Sequence, residues 1–368
     1  MNNNADLNII AGSKIAEPKI PGLRFVNDSK PGITRKRFKD KFHYIDCNGN
    51  RIKDELELQR IKSLAIPPAW TDVWICPIKN GHIQATGKDA KLRKQYRYHK
   101  LWRETRDEEK YAHMIAFGAS LPLIRKTVSE ALNLPGLPRE KVLATIIYLM
   151  QLTMIRIGND EYAKQNKSYG LTTLRNKHIK IDGSEVRFQF KGKSGVSHDI
   201  AVTDKKLASL IKNIRDLPGQ DLFQYIDEQG NTHSICSSDV NDYLRSITGE
   251  NYTAKDFRTL YGTIEAAAQL IKFEQFNSIT EAKQNVVEAI KIVAKKLGNT
   301  PAICRKCYVH PLVLSAYLDG TLSSALSKLI KIKSVKSLTA EIKANEAIST
   351  VLSAEEEAIL DFLRTSSV

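Results

Sequence analysis

"REKVLATIIYLMQLTMIRIG", residues 139–158, is the stretch on which the fold turns. Its apolar run, 142–157, is too short to span a bilayer and contains Gln151 and Arg156. The run therefore reads as a nearly all-apolar helix buried inside a domain and closed by Arg156. Upstream, "EEKYAHMIAFGASLPLIRKTVSEALN" has apolar residues at helical spacing. Downstream the period changes: "HIKIDG", "EVRFQFKGKSG" and "SHDIAV" read as three strands, with turns at Asp182-Gly183 and Lys193–Gly195. Helices return in "KKLASLIKNIRDL", "SSDVNDYLRSITG", "AKDFRTLYGTIEAAAQLI" and "ITEAKQNVVEAIKIVAKKLG". After residue 320 the chain reads as a helical tail that packs on the domain.

The N-terminal part has a different character. Residues 1–20 read as a flexible leader. "FHYIDCNGNRIKD" (42–54) reads as a hairpin turning at Asn48-Gly49. A short helix over 55–70 stops at Pro67-Pro68. "DVWICPI", "HIQATG" and "KQYRYHKLW" read as strands. The expected architecture is α+β. A small, mainly β N-terminal domain spans 21–104, and a mainly helical domain with one three-stranded sheet spans 105–368.

Charge separates the two parts. The chain carries a formal +15, and residues 1–104 hold 21 Lys and Arg against 11 Asp and Glu. A basic module of this kind attracts polyanions, nucleic acid above all. Five scattered cysteines, an odd number, argue against a disulfide framework. "MNNNADLNII" lacks the basic start and apolar core of a signal peptide. The reading is a protein of a reducing compartment.

Four side chains stand out. Arg156 ends an apolar run, and burying a guanidinium is costly unless it meets an anion; a pair with Asp160 or Glu161 would also satisfy it. Arg258, in "KDFRTLYGT", poses the same question, with Asp256 as its local partner. Lys193 projects from the turn in "FKGKSGVSH", where a solvated hairpin lysine is the plain alternative. Tyr308 sits in "LGNTPAICRKCYVHP" (297–311), beside the C-x-x-C of Cys304 and Cys307. That pair lacks the further ligands of a zinc site and the βαβ setting of a redox motif. P-loop spacing is missing too, and no carboxylate cluster suits Mg²⁺. Neither cofactor nor metal is expected. Together, a tyrosine, two arginines and a lysine fit phosphoryl transfer: guanidiniums match phosphate geometry, and a lysine can protonate a leaving oxygen.

On these residues the chain resembles the type IB DNA topoisomerases, in the compact branch of poxviruses and bacteria. The similarity covers roughly residues 22–320. It is carried in order by "GITRKRFKDKFHYID", "IPPAW", "ATGKDAKLRKQYRYH", "IRIGNDEYAKQNKSYGLTTLRNKHI", "FKGKSGVSH", "KDFRT" and "NTPAICRKCYVHP". The resemblance implies that Tyr308 is the nucleophile, forming a 3′-phosphotyrosyl link. It implies that Arg156 and Arg258 clamp the scissile phosphate and that Lys193 is the general acid. Asn299 stands where viral members often have histidine, and an amide there donates a hydrogen bond without titrating. In "GKDAKLRKQYRYH" the resemblance implies DNA contacts: Gln95, Tyr96 and Tyr98 toward bases or backbone, Lys88, Lys91, Arg93, Lys94 and Arg97 toward phosphates, with Tyr162 as a further contact. It implies a two-domain clamp around duplex DNA, a monomer working without ATP or metal, and a cytoplasmic, nucleoid-associated protein. The nearest alternative is a tyrosine recombinase. Recombinases typically carry H-x-x-R at the second arginine, whereas this chain has Lys255-Asp256-Phe257-Arg258.

Overall fold

The computed structural model describes residues 20–273, 276–327, 342–343 and 349–366. The chain divides into two compact units, Met1–Tyr111 and Ala112–Val368. Apart from Ile20, the expected leader lies outside the described residues.

The first unit is built on one antiparallel sheet. Its strands are β1 (Ile33–Phe38), β2 (Lys41–Ile45), β3 (Thr71–Ile75), β4 (Ile83–Lys88) and β5 (Lys94–Tyr98), in the order β2-β1-β3-β4-β5. Strand alternation sends Ile33, Val73, Ile75 and Ala85 to a common buried cluster. Ile61 of α1 (Glu55–Ser63) completes that cluster. Asp54 caps α1 by accepting from the Leu56 N–H, and acidic residues in its first turn suit the helix dipole.

One expectation for this unit is met in part and one is corrected. The chain does turn back antiparallel at Asn48-Gly49, with the Ile52 N–H donating to the Tyr44 carbonyl at 2.9 Å, but the longer ladder joins β1 and β2 through an unexpected turn at Lys39-Asp40, where Lys39 takes a left-handed φ of 52°. Around Asn48-Gly49 the ladder shrinks to a single bridge, Ile45 with Arg51. The Asp46 carboxylate explains this: it accepts the Asn48 and Asn50 N–H groups at 2.9 and 2.8 Å, and so competes with strand pairing. The strand read as "KQYRYHKLW" ends at Tyr98, because the His99 ring accepts the Leu101 N–H and opens α2 (Lys100–Leu132).

The second unit is mainly helical. After α2 come α3 (Arg139–Thr153), α4 (Asp160–Asn166), α5 (Lys205–Arg215), α6 (Ser237–Thr248) and α7 (Ala254–Lys272). They are followed by α8 (Ile279–Leu297), α9 (Pro301–Cys307), α10 (Pro311–Leu318), α11 (Leu322–Ser327) and α12 (Ala354–Ser366). Helix α7 is the hub: it is buried along most of its length and packs against α3, α8, α10 and α12. The inserted sheet comprises β6 (Ile179–Asp182), β7 (Glu185–Lys191) and β8 (Ser197–Thr203), paired antiparallel. The expected three strands become four, because the two-residue β11 (Ile342–Lys343) pairs parallel with β8. The sequence reading also missed a small hairpin of β9 (Gln224–Ile226) and β10 (Thr232–Ser234). Its turn is held by Asp227, which accepts from the Gln229 and Asn231 N–H groups.

The C-terminal helix is bound into this unit by a buried ion pair. Arg125 of α2 donates to both Glu356 oxygens, at 2.9 and 2.6 Å, and also to Tyr261 Oη of α7 at 3.0 Å. Its Nε donates to Gln151 of α3 at 3.0 Å. Removing one partner of such a pair leaves an uncompensated charge. Glu356→Ala is therefore expected to lower stability by about 3–5 kcal/mol in urea unfolding. A loss under about 1 kcal/mol would mean that water reaches the Arg125 site and screens it.

Candidate active site

Helix α3 ends at Thr153 because Met154 turns left-handed, with φ 53°. The sequence reading placed Arg156 as the last residue of that helix; it lies instead on the extended segment beyond it. There the Leu171 N–H donates to the Arg156 carbonyl at 2.9 Å, and the Thr172 N–H to that of Ile157 at 2.7 Å. The Arg156 guanidinium does not pair with Asp160 or Glu161, which sit in the first turn of α4. It donates to the Gly298 carbonyl at 3.2 and 3.3 Å and to Asn299 Oδ1.

Arg258 enters the same pocket from α7 and is only 5% exposed. Its local carboxylate, Asp256, is otherwise engaged: it accepts from the Thr253 N–H and hydroxyl at 2.8 and 2.9 Å, capping α7. Arg258 donates instead to the Leu297 carbonyl at 2.7 Å and to the Met154 carbonyl. Burial, with Arg156 alongside, pulls the Arg258 guanidinium down to about 10. Burial also lowers that of Arg156. Both remain cations at neutral pH, and the acceptors they meet are uncharged: backbone carbonyls, the Asn299 amide oxygen and, for Arg258, the Tyr308 hydroxyl.

Asn299 follows the left-handed Gly298 cap of α8, and its N–H returns to the Ala294 carbonyl at 2.9 Å. Its Oδ1 is taken by Arg156, while Nδ2 is buried without a hydrogen-bond partner. Arg258 Nε is orphaned in the same way. A buried orphan donor costs roughly 1–3 kcal/mol, and two of them beside two cations form an arrangement that can receive an oxyanion.

Tyr308 borders these side chains. Thr300 caps α9 and Pro301 occupies its first turn, so "NTP" is a helix start; Tyr308 is the half-buried residue that ends the helix. The Arg258 guanidinium carbon lies 5.3 Å from the Tyr308 ring centroid. Gly262 of α7 lets the tyrosine backbone approach, since a Cβ there would stand 2.9 Å from the Tyr308 carbonyl oxygen. Thr263 Oγ1 lies 3.2 Å from that same oxygen and accepts the His310 N–H at 3.1 Å. Of the flanking cysteines, Cys304 is buried and its thiol is pushed up to about 12 by that burial, which makes it inert. Among the described residues no group of three His, Cys, Asp or Glu side chains could hold a metal ion. Lys193 is exposed in the short turn between β7 and β8, where Ser194 adopts a φ of 63°.

Comparison with known proteins bears on this arrangement. The family described as eukaryotic DNA topoisomerase I, catalytic core, matches residues 99–336. That described as bacterial DNA topoisomerase IB, N-terminal domain, matches residues 41–89. The DNA topoisomerase 1B of Acanthamoeba polyphaga mimivirus is 35% identical over 297 residues, covering 78% of this chain and 88% of the relative. The chain belongs to the type IB DNA topoisomerases. The vaccinia virus (strain Copenhagen) DNA topoisomerase 1B is 25% identical over 245 residues, 66% of this chain and 74% of the viral one. These likenesses do not favour the recombinase alternative.

In this topoisomerase the residues expected to contact DNA are divided by the pleat of β5. Lys94, Tyr96 and Tyr98 share one face: the tyrosine rings stack at 5.8 Å, and Lys94 Nζ lies 5.4 Å from the Tyr96 ring. Gln95 and Arg97 point the other way. Gln95 donates to Asp89 at 3.0 Å, and Arg97 to the Ala65 carbonyl at 2.8 Å, above the Trp70 ring. Lys88, Arg93 and Lys94 pair with Asp72, Asp89 and Asp28 at 2.8, 2.6 and 2.6 Å. The basic partner of each pair is about half exposed and solvent screens the attraction, so a phosphate can displace the carboxylates. Lys91 is exposed at the β4–β5 turn, and Tyr162 is half-buried on α4.

The sequence reading overlooked two residues. Asp89 organises the β4–β5 turn, accepting from the Lys91 and Arg93 N–H groups at 2.9 and 3.0 Å; a "D-x-x-x-R" spacing was the available signal. His198 stacks on Phe190 at 4.8 Å and approaches both Gly192 and Gly298. Nothing in its local sequence marks it.

Among the described residues no helix is long and apolar enough to cross a membrane.

Proposed function

We propose that Tyr308 is the nucleophile of this type IB topoisomerase, that Arg156, Arg258 and Asn299 bind the scissile phosphate, and that Lys193 protonates the leaving strand. Tyr308 Oη attacks phosphorus and releases its proton to solvent. The bond from phosphorus to the 5′ oxygen breaks, its electron pair stays on that oxygen, and Lys193 supplies the proton. The products are a 3′-phosphotyrosyl ester and a free 5′-hydroxyl. The duplex then rotates about the intact strand, and the reverse reaction reseals the nick. The ester retains the energy of the cleaved phosphodiester, so no nucleotide is consumed.

One observation carries this reading: beside Tyr308, one buried and one half-buried guanidinium meet only neutral acceptors, and two buried donor atoms have no partner. Negative charge grows on the non-bridging oxygens in the transition state, and donors held ready for it need no reorganisation. The basic N-terminal unit supplies phosphate contacts through Lys88, Lys91, Arg93 and Lys94, with Tyr96, Tyr98 and Tyr162 as further DNA contacts and Gln95 and Arg97 behind them. The two units close as a clamp on duplex DNA, and one chain suffices, since it carries every residue named. The compartment this reading implies is the cytoplasm, at the nucleoid.

Relaxation of a supercoiled plasmid in EDTA without nucleotide tests the chemistry, and denaturant trapping with mapping of the attached residue tests the assignment to Tyr308. Lys193→Ala is expected to slow cleavage by about 10²–10⁴-fold while leaving DNA binding nearly intact. A substrate whose bridging 5′ oxygen is replaced by sulfur should restore the rate, because a thiolate leaves without a proton. Equal failure on both substrates would mean that Lys193 does not act as the acid.

A further inference from the structure

We infer that His198 is a positioning residue for the same reaction: its ring, wedged between Gly192 and Gly298, locks the Lys193 turn against the oxyanion pocket. This rests on Lys193 acting as the proton donor. The turn lies at the surface of the unit. Residues 193–197 are exposed, and the loop is closed by the Gly192 N–H to the Val196 carbonyl at 2.7 Å and the Gly195 N–H to the Gly192 carbonyl at 3.1 Å. A general acid must be held within a fraction of an ångström of its target, and a misplacement of about 1 Å can cost about 10²-fold.

His198 packs where it can brace this turn. It faces Phe190 across the β7–β8 ladder and stacks on that ring with an interplanar angle of 15°. The imidazole edge lies against the backbone on both sides of the site. A Cβ added at Gly192 would stand 2.6 Å from Nε2, and one added at Gly298 would stand 2.5 Å from Cε1. Gly192 precedes Lys193, and the Gly298 carbonyl receives both Arg156 nitrogens. One ring thus spans the proton donor's turn and the phosphate-binding arginine's acceptor. Burial, together with Arg156 and Arg258 nearby, lowers the affinity of His198 for a proton. The ring is neutral at neutral pH and adds no third cation to the pocket.

Single-turnover cleavage on matched duplexes with a bridging 5′ oxygen or sulfur tests the inference. His198→Ala is expected to cleave the oxygen substrate about 10²-fold slower, the sulfur substrate near the wild-type rate, and to bind DNA normally. Gly192→Ala should show the same profile with the ring in place. Its φ of −90° and ψ of −165° suit alanine, so the added methyl meets only the imidazole at close range. The double variant should be no slower than His198→Ala alone, since the methyl then has no ring to meet. If His198→Ala fails to fold, Gly192→Ala decides the matter. Equal slowing on both substrates, or a rate on oxygen close to wild type, overturns the role of His198. If sulfur rescues Lys193→Ala but neither of these variants, this inference alone fails; if it does not rescue Lys193→Ala, the acid assignment fails and takes the inference with it.

Discussion

Tyr308→Phe is expected to form no covalent adduct with DNA and to relax no supercoils, while binding duplex DNA as the parent does. The substitution removes one oxygen and its hydrogen bond with Arg258, which keeps its Leu297 and Met154 carbonyl partners. The ring remains half-buried, with the Arg258 guanidinium 5.3 Å from its centroid, and Thr263 still meets the backbone carbonyl at 3.2 Å. The fold and the DNA surface therefore have no reason to change. The chemistry has no substitute: without the hydroxyl the intermediate cannot form, and loss of a covalent nucleophile costs on the order of 10⁶-fold. Denaturant trapping on a labelled duplex, beside an equilibrium binding titration, separates the two effects. An adduct of normal yield on another tyrosine would remove Tyr308 from the mechanism.

The second large effect belongs to Arg258. Arg258→Lys keeps the charge and most of the volume, yet cleavage is expected to fall by about 10²–10³-fold. A guanidinium has five donors in a rigid fork, and here it serves the Leu297 and Met154 carbonyls while Nε is unengaged. A lysine offers one nitrogen, which cannot reach both carbonyls and a phosphate in that geometry. Alanine would be the less informative choice, since it would strand two carbonyls in a site only 5% exposed. Single-turnover cleavage with a thermal melt as control provides the measurement. A rate within tenfold of the parent would make Arg258 a structural brace rather than a phosphate ligand.

Much of this site was legible before any coordinates because its residues violate the surrounding pattern. A guanidinium inside an apolar run demands an anion or a set of acceptors, and both Arg156 and Arg258 announced themselves that way. Their partners were not legible. The nearby carboxylates were the natural candidates, but Asp256 caps α7, and Asp160 and Glu161 sit where the α4 dipole favours them. The acceptors come from the end of α8, 142 and 143 positions along the chain from Arg156. In β5 the alternation of aromatic and basic residues was plain. Which residues face the same way follows from the pleat; Gln95 is held by Asp89 of the adjoining turn, whereas Arg97 is held at Ala65 and Trp70, on chain far from the strand.

The sequence by itself determined the helical and strand periods, the apolar core of α3 and α7, the basic N-terminal unit and the residue types a phosphodiester requires. These are local properties, set by side-chain spacing and by the cost of burying charge. Only the tertiary structure decided that Arg156, Arg258, Asn299 and Tyr308 gather at one pocket, that two of its donors lack partners, and that an unremarked histidine packs between two distant glycines. The reason is physical: a short-range pattern states what a residue needs, whereas packing between remote segments determines which group supplies it.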